Sequence, residues 1–279
     1  MQGNEYVSRS CDLCGADQQQ LLFVKEGYCH VRCTRCRLVF VNPISKKHVQ
    51  GQSTGGTALM GEASLSPSQI RRIRKELKSI EPYRLKNAFL EIGPGRGWFA
   101  AYAKKAGWET WVVEVNEFAA KSLQSLGLDR VIEGPAEKAL LPPCLFDAAR
   151  LWDVLEHLES PHTVLKSVYS CLRPGGILRI STTNFASLSR WINGPDWVYL
   201  NGADHIVLFE PATIEALLKK IGFHSIKIRT RSFNLRRKRY CPNRELPPPS
   251  YLLLPFRKII DELIRFTPYG HQMIVTALR

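Results

Sequence analysis

Four cysteines near the start of the chain and three glycines further on have spacings that chemistry can use. Cys11, Cys14, Cys33 and Cys36 read as CDLC, then 18 residues, then CTRC. Two such turns each aim two thiolates at one point, and four thiolates complete a tetrahedral shell. Soft sulfur favours zinc over calcium or magnesium, and a closed set of four makes the metal structural. A disulfide pair is the alternative reading. Cys29 and His30, close to the second pair, are possible substitutes for a ligand, whereas Cys144, Cys171 and Cys241 stand alone.

The glycines lie in LEIGPGRGWF, residues 90–99. A dinucleotide fingerprint is G-x-G-x-x-G, and a phosphate loop is GxxxxGK followed by Ser or Thr. Here the pattern is E-x-G-x-G-x-G: Glu91, Gly93, Gly95 and Gly97, with the third glycine one residue early and no lysine where a phosphate would need one. Such a turn lets backbone come close to a ligand while offering a carboxylate. That suits a partly cationic, phosphate-free nucleoside. Glu114, about 20 residues on, can take both hydroxyls of a ribose. Toward the other end of the chain, Asp204-His205 follows WINGPDWVYLNGA, and a histidine beside an acid can take a proton from an acceptor hydroxyl or carbon. Glu156 and His157 in DVLEHL also have acid–base chemistry, but read as a helix start that shapes the site. Trp191, Trp197 and Tyr199 are candidates for an apolar acceptor wall.

The elements that must position these groups alternate in type. AFLEI, ETWVVEV, FDAARLW, GILRIST, FHSIKIRT and HQMIVTAL read as strands, and GWFAAYAKKAG, EFAAKSLQSLG, SPHTVLKSVYSCL and PATIEALLKKIG as helices. Ser160 is an N-cap with Pro161 at N1, and Pro174-Gly175-Gly176 is a stop. An earlier helix starts at Ser66, with Pro67 at N1 and Gln69 at N3, and carries Ile70, Ile73, Leu77 and Ile80 on one face. Repeated strand–helix units predict a parallel, doubly wound α/β sheet covered by helices on both faces, its ligand beyond the carboxyl ends of the strands.

Five segments in order, LEIGPGRG, VVEV, FDAARLWDVLEHLESP, LRPGGILRISTTN and DHIVLFEPATIEALLKKIGF, resemble class I S-adenosylmethionine-dependent methyltransferases. CDLCG…CTRCRLVFVNP matches the N-terminal zinc-binding module that some of them carry. The resemblance implies a Rossmann-like sheet of seven strands with the last inserted antiparallel. It implies that Gly93, Gly95 and Gly97 wrap S-adenosylmethionine, that Glu114 holds its ribose and that Asp153 lines the cofactor and acceptor sites. Where the family often reads G-D-A after the third strand, this chain has Gly134-Pro135-Ala136, so adenine recognition passes to the Ala136 backbone or to Glu137. Related sugar methyltransferases with a zinc module, which are longer, use an acidic–histidine pair as base, implying that role for Asp204 and His205.

The expected organisation is a zinc ribbon over 1–45, a linker and amphipathic helix over 46–82, and a cofactor-binding domain over 83–279 with a basic, proline-rich insertion at 231–270. The start is polar, without a signal-peptide core, and no apolar run is long enough to span a membrane, which predicts a cytoplasmic protein. The net charge is +14, and seven basic residues with no acidic one fall within 227–240. They fit a peripheral contact with an anionic membrane, or nucleic acid. The main expectation is O- or C-methylation of a small molecule, amphiphilic or lipid-like acceptors included. The alternatives are an RNA methyltransferase and a non-enzymatic zinc-ribbon interaction protein; a nicotinamide dehydrogenase fails on the glycine spacing.

Overall fold

The computed structural model describes residues 6–45, 65–233 and 256–279. The linker at 46–64, and most of the basic, proline-rich segment with Cys241, lie outside the described residues. The chain opens with short strands β1 (Tyr6–Val7), β2 (Gln19–Lys25), β3 (Tyr28–Cys33), β4 (Val39–Val41) and β5 (Ile44–Ser45). Helix α1 (Pro67–Ile80) follows, and its start obeys the capping rule: the Ser66 hydroxyl and the Gln69 side chain satisfy each other's backbone N–H groups, with Pro67 in the first turn.

Strand and helix then alternate: β6 (Ala88–Ile92), α2 (Trp98–Lys105), β7 (Glu109–Glu114), α3 (Glu117–Gln124), β8 (Arg130–Glu133), β9 (Phe146–Trp152), α4 (Pro161–Cys171) and β10 (Leu172–Thr183). After them come α5 (Leu188–Asn193), β11 (Val207–Leu208), α6 (Pro211–Ile221), β12 (His224–Arg231), α7 (Arg257–Ile264) and β13 (Gln272–Leu278). The main sheet has seven strands in the order β12-β13-β10-β9-β6-β7-β8, with β13 antiparallel to both of its neighbours. This is the sheet the resemblance implies. The strands from β10 to β8 run parallel, and β6, at the centre, is buried along its whole length. A strand covered on both faces can be apolar throughout, which is why AFLEI shows no alternation.

Two cores follow from the two faces. Leu77 and Ile80 of α1 and Phe99 and Ala103 of α2 pack on Phe89, Trp108 and Ala148. Val164, Leu165 and Val168 of α4 and Ile214, Leu217 and Leu218 of α6 pack on Leu90, Leu151, Leu178 and Ile180. In one place the sequence misleads. Pro174-Gly175-Gly176 does not end a helix ahead of a separate strand; it lies inside β10, as an irregularity in the pairing with β9 between Leu172 and Ile177. Gly176 is needed there because a Cβ would come 2.9 Å from the Arg173 carbonyl oxygen.

Asp147 of β9 joins three segments at the sheet's amino end. Its buried carboxylate accepts from Leu85 N at 3.0 Å and Lys86 N at 2.8 Å, and from Arg173 Nε at 2.6 Å. Burial alone would raise this carboxyl, but Arg173 and the backbone N–H groups outweigh it and hold it below its ordinary value of 3.8. The stabilisation is complete above that ordinary value and is lost as pH falls through the lower folded one. We expect Asp147→Asn to cost about 3–5 kcal/mol at neutral pH, the range for breaking one side of a buried pair, with the deficit shrinking below about pH 4. Denaturant melts of both proteins across that range measure it.

Candidate functional site

The glycine turn after β6 is folded by contacts that only glycine permits. Gly93 has φ +62°, and a Cβ there would stand 2.5 Å from Val154 Cγ2. Gly97 caps α2 at φ +69°, where a Cβ would meet Leu123 at 2.4 Å. Gly95 differs: at φ +56° it has nothing within 4 Å of a Cβ, so its backbone faces open space. The turn is therefore packed at its two ends and bare in the middle, the arrangement expected where a ligand approaches the main chain.

Beside it lies a cavity of about 210 Å³, lined by Glu91, Gly95, Trp98, Arg150 and Trp152 and bordered by Arg72 of α1. Glu91 is fully buried and paired with Arg150, its neighbour across the strands. The Arg150 guanidinium sits 4.1 Å from the Phe99 ring centre and 4.2 Å from that of Trp152. Burial pushes the Glu91 carboxyl up against the pull of Arg150. One Glu91 oxygen, Oε2, is buried without a hydrogen-bond partner. At the end of β7, buried Glu114 accepts from Asn116 N at 3.0 Å, and burial raises its carboxyl as well. Asn116 in turn caps α3 through Ala119 N.

Ala136 is buried at the start of a short turn after β8. Glu137 in that turn reaches Ser160 N at 3.5 Å, so it tethers the start of α4. Asp153, just past β9, holds φ +56° and accepts from Ser181 Oγ at 2.7 Å and Gln272 Nε2 at 2.9 Å. Because Val154 fills the space over Gly93, residues 153–157 are locked to the glycine turn.

Those residues lead to the densest group of titratable side chains. Glu156 is buried and accepts from Thr182 Oγ1 at 2.7 Å. Burial first, and Asp153 second, raise its carboxyl to about 8. His157 donates from Nδ1 to the Asp204 carbonyl at 2.9 Å, and its ring meets His205 edge-on at 4.7 Å. Tyr199 stacks at 5.8 Å on both His205 and His271. His205 Nδ1 is buried without a hydrogen-bond partner, and burial, then His157, lowers that ring to about 3. The Asp204 carboxylate accepts from Asn201 Nδ2 at 2.8 Å. One donor atom each from Glu156, His157 and His205 lie within 4.8 Å of one another. The sequence put His205 beside Asp204; the fold adds Glu156 and His157, on a 3₁₀ turn rather than a helix start. Trp191 is exposed while Trp197 is buried against Phe185 and Tyr199, so the three aromatics do not form one wall.

The amino-terminal cysteines gather behind this loop. The Sγ atoms of Cys11, Cys14, Cys33 and Cys36 lie within 4.8 Å of one another, with 3.4 Å between Cys11 and Cys36 and 3.5 Å between Cys14 and Cys33. Tetrahedral zinc thiolates have edges of about 3.8 Å, so the set fits zinc with little movement. Cys29 and His30 stand apart, with His30 stacked on Phe23 at 4.7 Å. Within the first knuckle, Asp12 accepts from Ser160 Oγ and His162 N, both at 2.7 Å, and so adds an acceptor at the start of α4, beside its N-cap Ser160. Strand β4 pairs with β11, Phe40 against Val207 and Val39 against Leu208. Arg9 donates to the Glu159 carbonyl at 2.8 Å and the Ile206 carbonyl at 2.9 Å, tying the two loops together. Arg9 and Asp12 escaped the sequence reading because neither belongs to a spacing pattern.

The family profile described as a methyltransferase domain matches residues 67–228. The ubiquinone biosynthesis O-methyltransferase of Xanthomonas euvesicatoria pv. vesicatoria (strain 85-10) is 25% identical over 171 residues, covering 53% of this chain and 72% of that protein. Its namesake in Xanthomonas campestris pv. campestris (strain B100) is 26% identical over 127 residues, and there the match spans only 53% of the relative. Among solved structures, a SAM-dependent methyltransferase from Archaeoglobus fulgidus aligns with TM-score 0.53 and 24% identity over 75% of this chain and 94% of that one. Phosphoethanolamine N-methyltransferase 2 of Haemonchus contortus, in complex with S-adenosyl-L-methionine, aligns with TM-score 0.55 and 18% identity over 86% of this chain and 62% of that one. At these identities the two structures speak to fold alone.

Arg9→Met removes both clamps and the guanidinium that lies over the Phe40 ring. We expect it to cost about 1.5–3 kcal/mol, the scale of a hydrogen bond to a charged group. We also expect faster amide exchange at Ile206 to Leu208 than at β6, read by hydrogen-exchange mass spectrometry.

Proposed function

The chain belongs to the methyltransferase-domain family and is an S-adenosylmethionine-dependent methyltransferase of class I; from that premise we propose that it methylates a hydroxyl of a small, amphiphilic acceptor. One observation carries this reading: the glycine turn with its bare Gly95 is locked through Gly93 and Val154 to the Glu156–His157–His205 group. A nucleoside site and a polar acceptor site thus share one wall.

Bound S-adenosylmethionine supplies an electrophilic methyl group on a positively charged sulfur. The residues present fit it. Gly93, Gly95 and Gly97 shape a turn whose middle is open to the main chain. Glu91 offers an unpartnered buried oxygen, Oε2, at the cavity wall, though its other oxygen is held by Arg150. Glu114 takes the ribose hydroxyls. The Ala136 backbone borders the adenine, a role that suits Glu137 less because its carboxylate reaches Ser160. Asp153, held by Ser181 and Gln272, faces both sites.

On the acceptor side we assign His205 to contact the hydroxyl. Asp204 positions it from the adjacent residue, since the Asp204 carbonyl also holds His157. Hydroxyl methylation is supported by the curated relatives, which are named O-methyltransferases. An amphiphilic acceptor is supported by the exposed apolar side chains at this edge: Trp191 of α5, Ile259 and Leu263 of α7, and Phe266 and Tyr269 beyond it. Leu188 N donates to the Tyr269 carbonyl at 2.9 Å, which joins α5 to that turn. No helix among the described residues is long and apolar enough to cross a membrane. We further propose one structural zinc per chain on Cys11, Cys14, Cys33 and Cys36; a module this small needs the metal for its folding energy.

Glu114→Ala should weaken S-adenosylmethionine binding by about 1.5–3 kcal/mol, measured by titration calorimetry; unchanged affinity would place the ribose elsewhere. His205→Ala should lower turnover on a hydroxylated amphiphile while leaving cofactor affinity nearly intact, and methyl transfer at the wild-type rate would remove His205 from the acceptor site. Metal analysis should find one zinc per chain, with Cys33→Ser losing it and melting at lower temperature. Zinc-free native protein with four titratable thiols would overturn that assignment.

A further inference from the structure

We propose that Glu156, His157 and His205 bind a divalent first-row cation, distinct from the cysteine-bound zinc, and that this cation holds the acceptor's hydroxyl. The inference rests on the reading of the acceptor side given above and names how His205 acts there: through the cation.

Three observations support it. One donor atom from each residue lies within 4.8 Å of the others, an arrangement among the described residues that only the four cysteines share. Two imidazoles and one carboxylate on one side of an ion leave positions open for a substrate oxygen, a set that suits iron, manganese or zinc rather than calcium. Next, the His157 ring is oriented as metal-binding histidines are. Its Nδ1–H donates to the Asp204 carbonyl at 2.9 Å, which fixes the tautomer and gives Nε2 the lone pair. Asp204 is itself held by Asn201, so a second shell stands behind the ligand. Finally, His205 Nδ1 is a buried polar atom with no hydrogen-bond partner, on a ring clamped between His157 and Tyr199. A buried polar atom with no partner in a polar group calls for an explanation, and an ion supplies one. Glu156 contributes the carboxylate, oriented by the Thr182 hydroxyl, and a cation completes the group. It explains the acceptor class as well, because a hydroxyl bound to a cation is more acidic and its oxygen a better nucleophile.

Full-length protein with its zinc retained should be titrated with Mn2+ alone and followed by electron paramagnetic resonance. Mn2+ lies at the weak end of the affinity series and does not displace zinc from thiolates, so uptake reports the second site. We expect one Mn2+ bound per chain. Glu156→Gln and His205→Ala should each weaken binding by at least about 100-fold, since even partners one shell further out cost about 10–100-fold. Cys33→Ser is not used for this comparison, because it disturbs the fold. Spin-echo modulation of the wild-type complex should show two imidazole nitrogens, a readout that needs no variant to fold. No Mn2+ uptake, uptake without two nitrogen couplings, or uptake equal in folded variants overturns the proposal. S-adenosylmethionine titration runs alongside. Cofactor binding and methyl transfer with no Mn2+ uptake defeat the cation site and leave the methyltransferase reading standing. Mn2+ uptake without cofactor binding does the reverse.

Discussion

The pairing of β4 with β11 is the contact on which the placement of the Glu156–His157–His205 group depends. Only two residue pairs form it, Phe40 with Val207 and Val39 with Leu208, but it converts a loop into the edge of a four-stranded sheet. Val41 N extends the ladder to the Ile206 carbonyl at 2.9 Å, and Ile206 N returns to the Glu156 carbonyl at 2.9 Å. His205 is thus anchored one residue before a hydrogen-bonded bridge between the cysteine module and the turn after β9. The module acts less as a separate domain than as the outer wall of the site. Its first knuckle even adds an acceptor at the start of α4, where Asp12 takes His162 N and the hydroxyl of the N-cap Ser160. The backbone hydrogen bonds of this bridge therefore couple the geometry of the cysteine module to that of the Glu156–His157–His205 group.

Much of this architecture was legible beforehand, for definable reasons. Helix α1 announced itself through Ser66, Pro67 and Gln69, because capping is local chemistry. The parallel strands were readable as apolar runs between helices, and β9 has the bounds of FDAARLW. What escaped was non-local. Nothing in HIVLF marks β11 as the fourth strand of the cysteine module's sheet, because two residues carry no periodicity. The Pro174-Gly175-Gly176 turn resembles a helix stop because the same residues serve a strand irregularity, and only the close carbonyls around Gly176 distinguish them. The apolar residues of α7 divide between two faces: Ile264 is buried while Ile259 and Leu263 stay exposed.

The candidate site shows the same division. Cysteine spacing and glycine spacing are set by local geometry, so their residues could be named from sequence. Glu91 was expected to face a ligand with a free carboxylate; the fold places Arg150 across from it, at the matching position of the adjacent strand. That partner is invisible in sequence because it is 59 residues away. The pair has a use in the site's electrostatics. Burial drives this carboxylate toward its neutral form, and the guanidinium beside it opposes that shift without cancelling it. Arg150 is itself stacked on Phe99 and Trp152, aromatic faces that stabilise the cation without consuming its donors.

The Glu156–His157–His205 group poses a harder problem, holding an acid and two imidazoles close together. Its answer is to position them through main chain. Glu156 is fixed by its own carbonyl to Ile206 N and by its side chain to Thr182; His157 is fixed by the Asp204 carbonyl. Each side chain is therefore oriented by a partner that cannot titrate, and the group keeps its geometry whichever protonation state it adopts. Preorganised donors are effective because no reorganisation is required when charge develops. Such a group is also costly to bury unless something balances its charge. Its neighbours differ in charge: Asp153 adds negative charge beside Glu156, while Tyr199, Thr182 and the backbone of the β11 bridge are neutral.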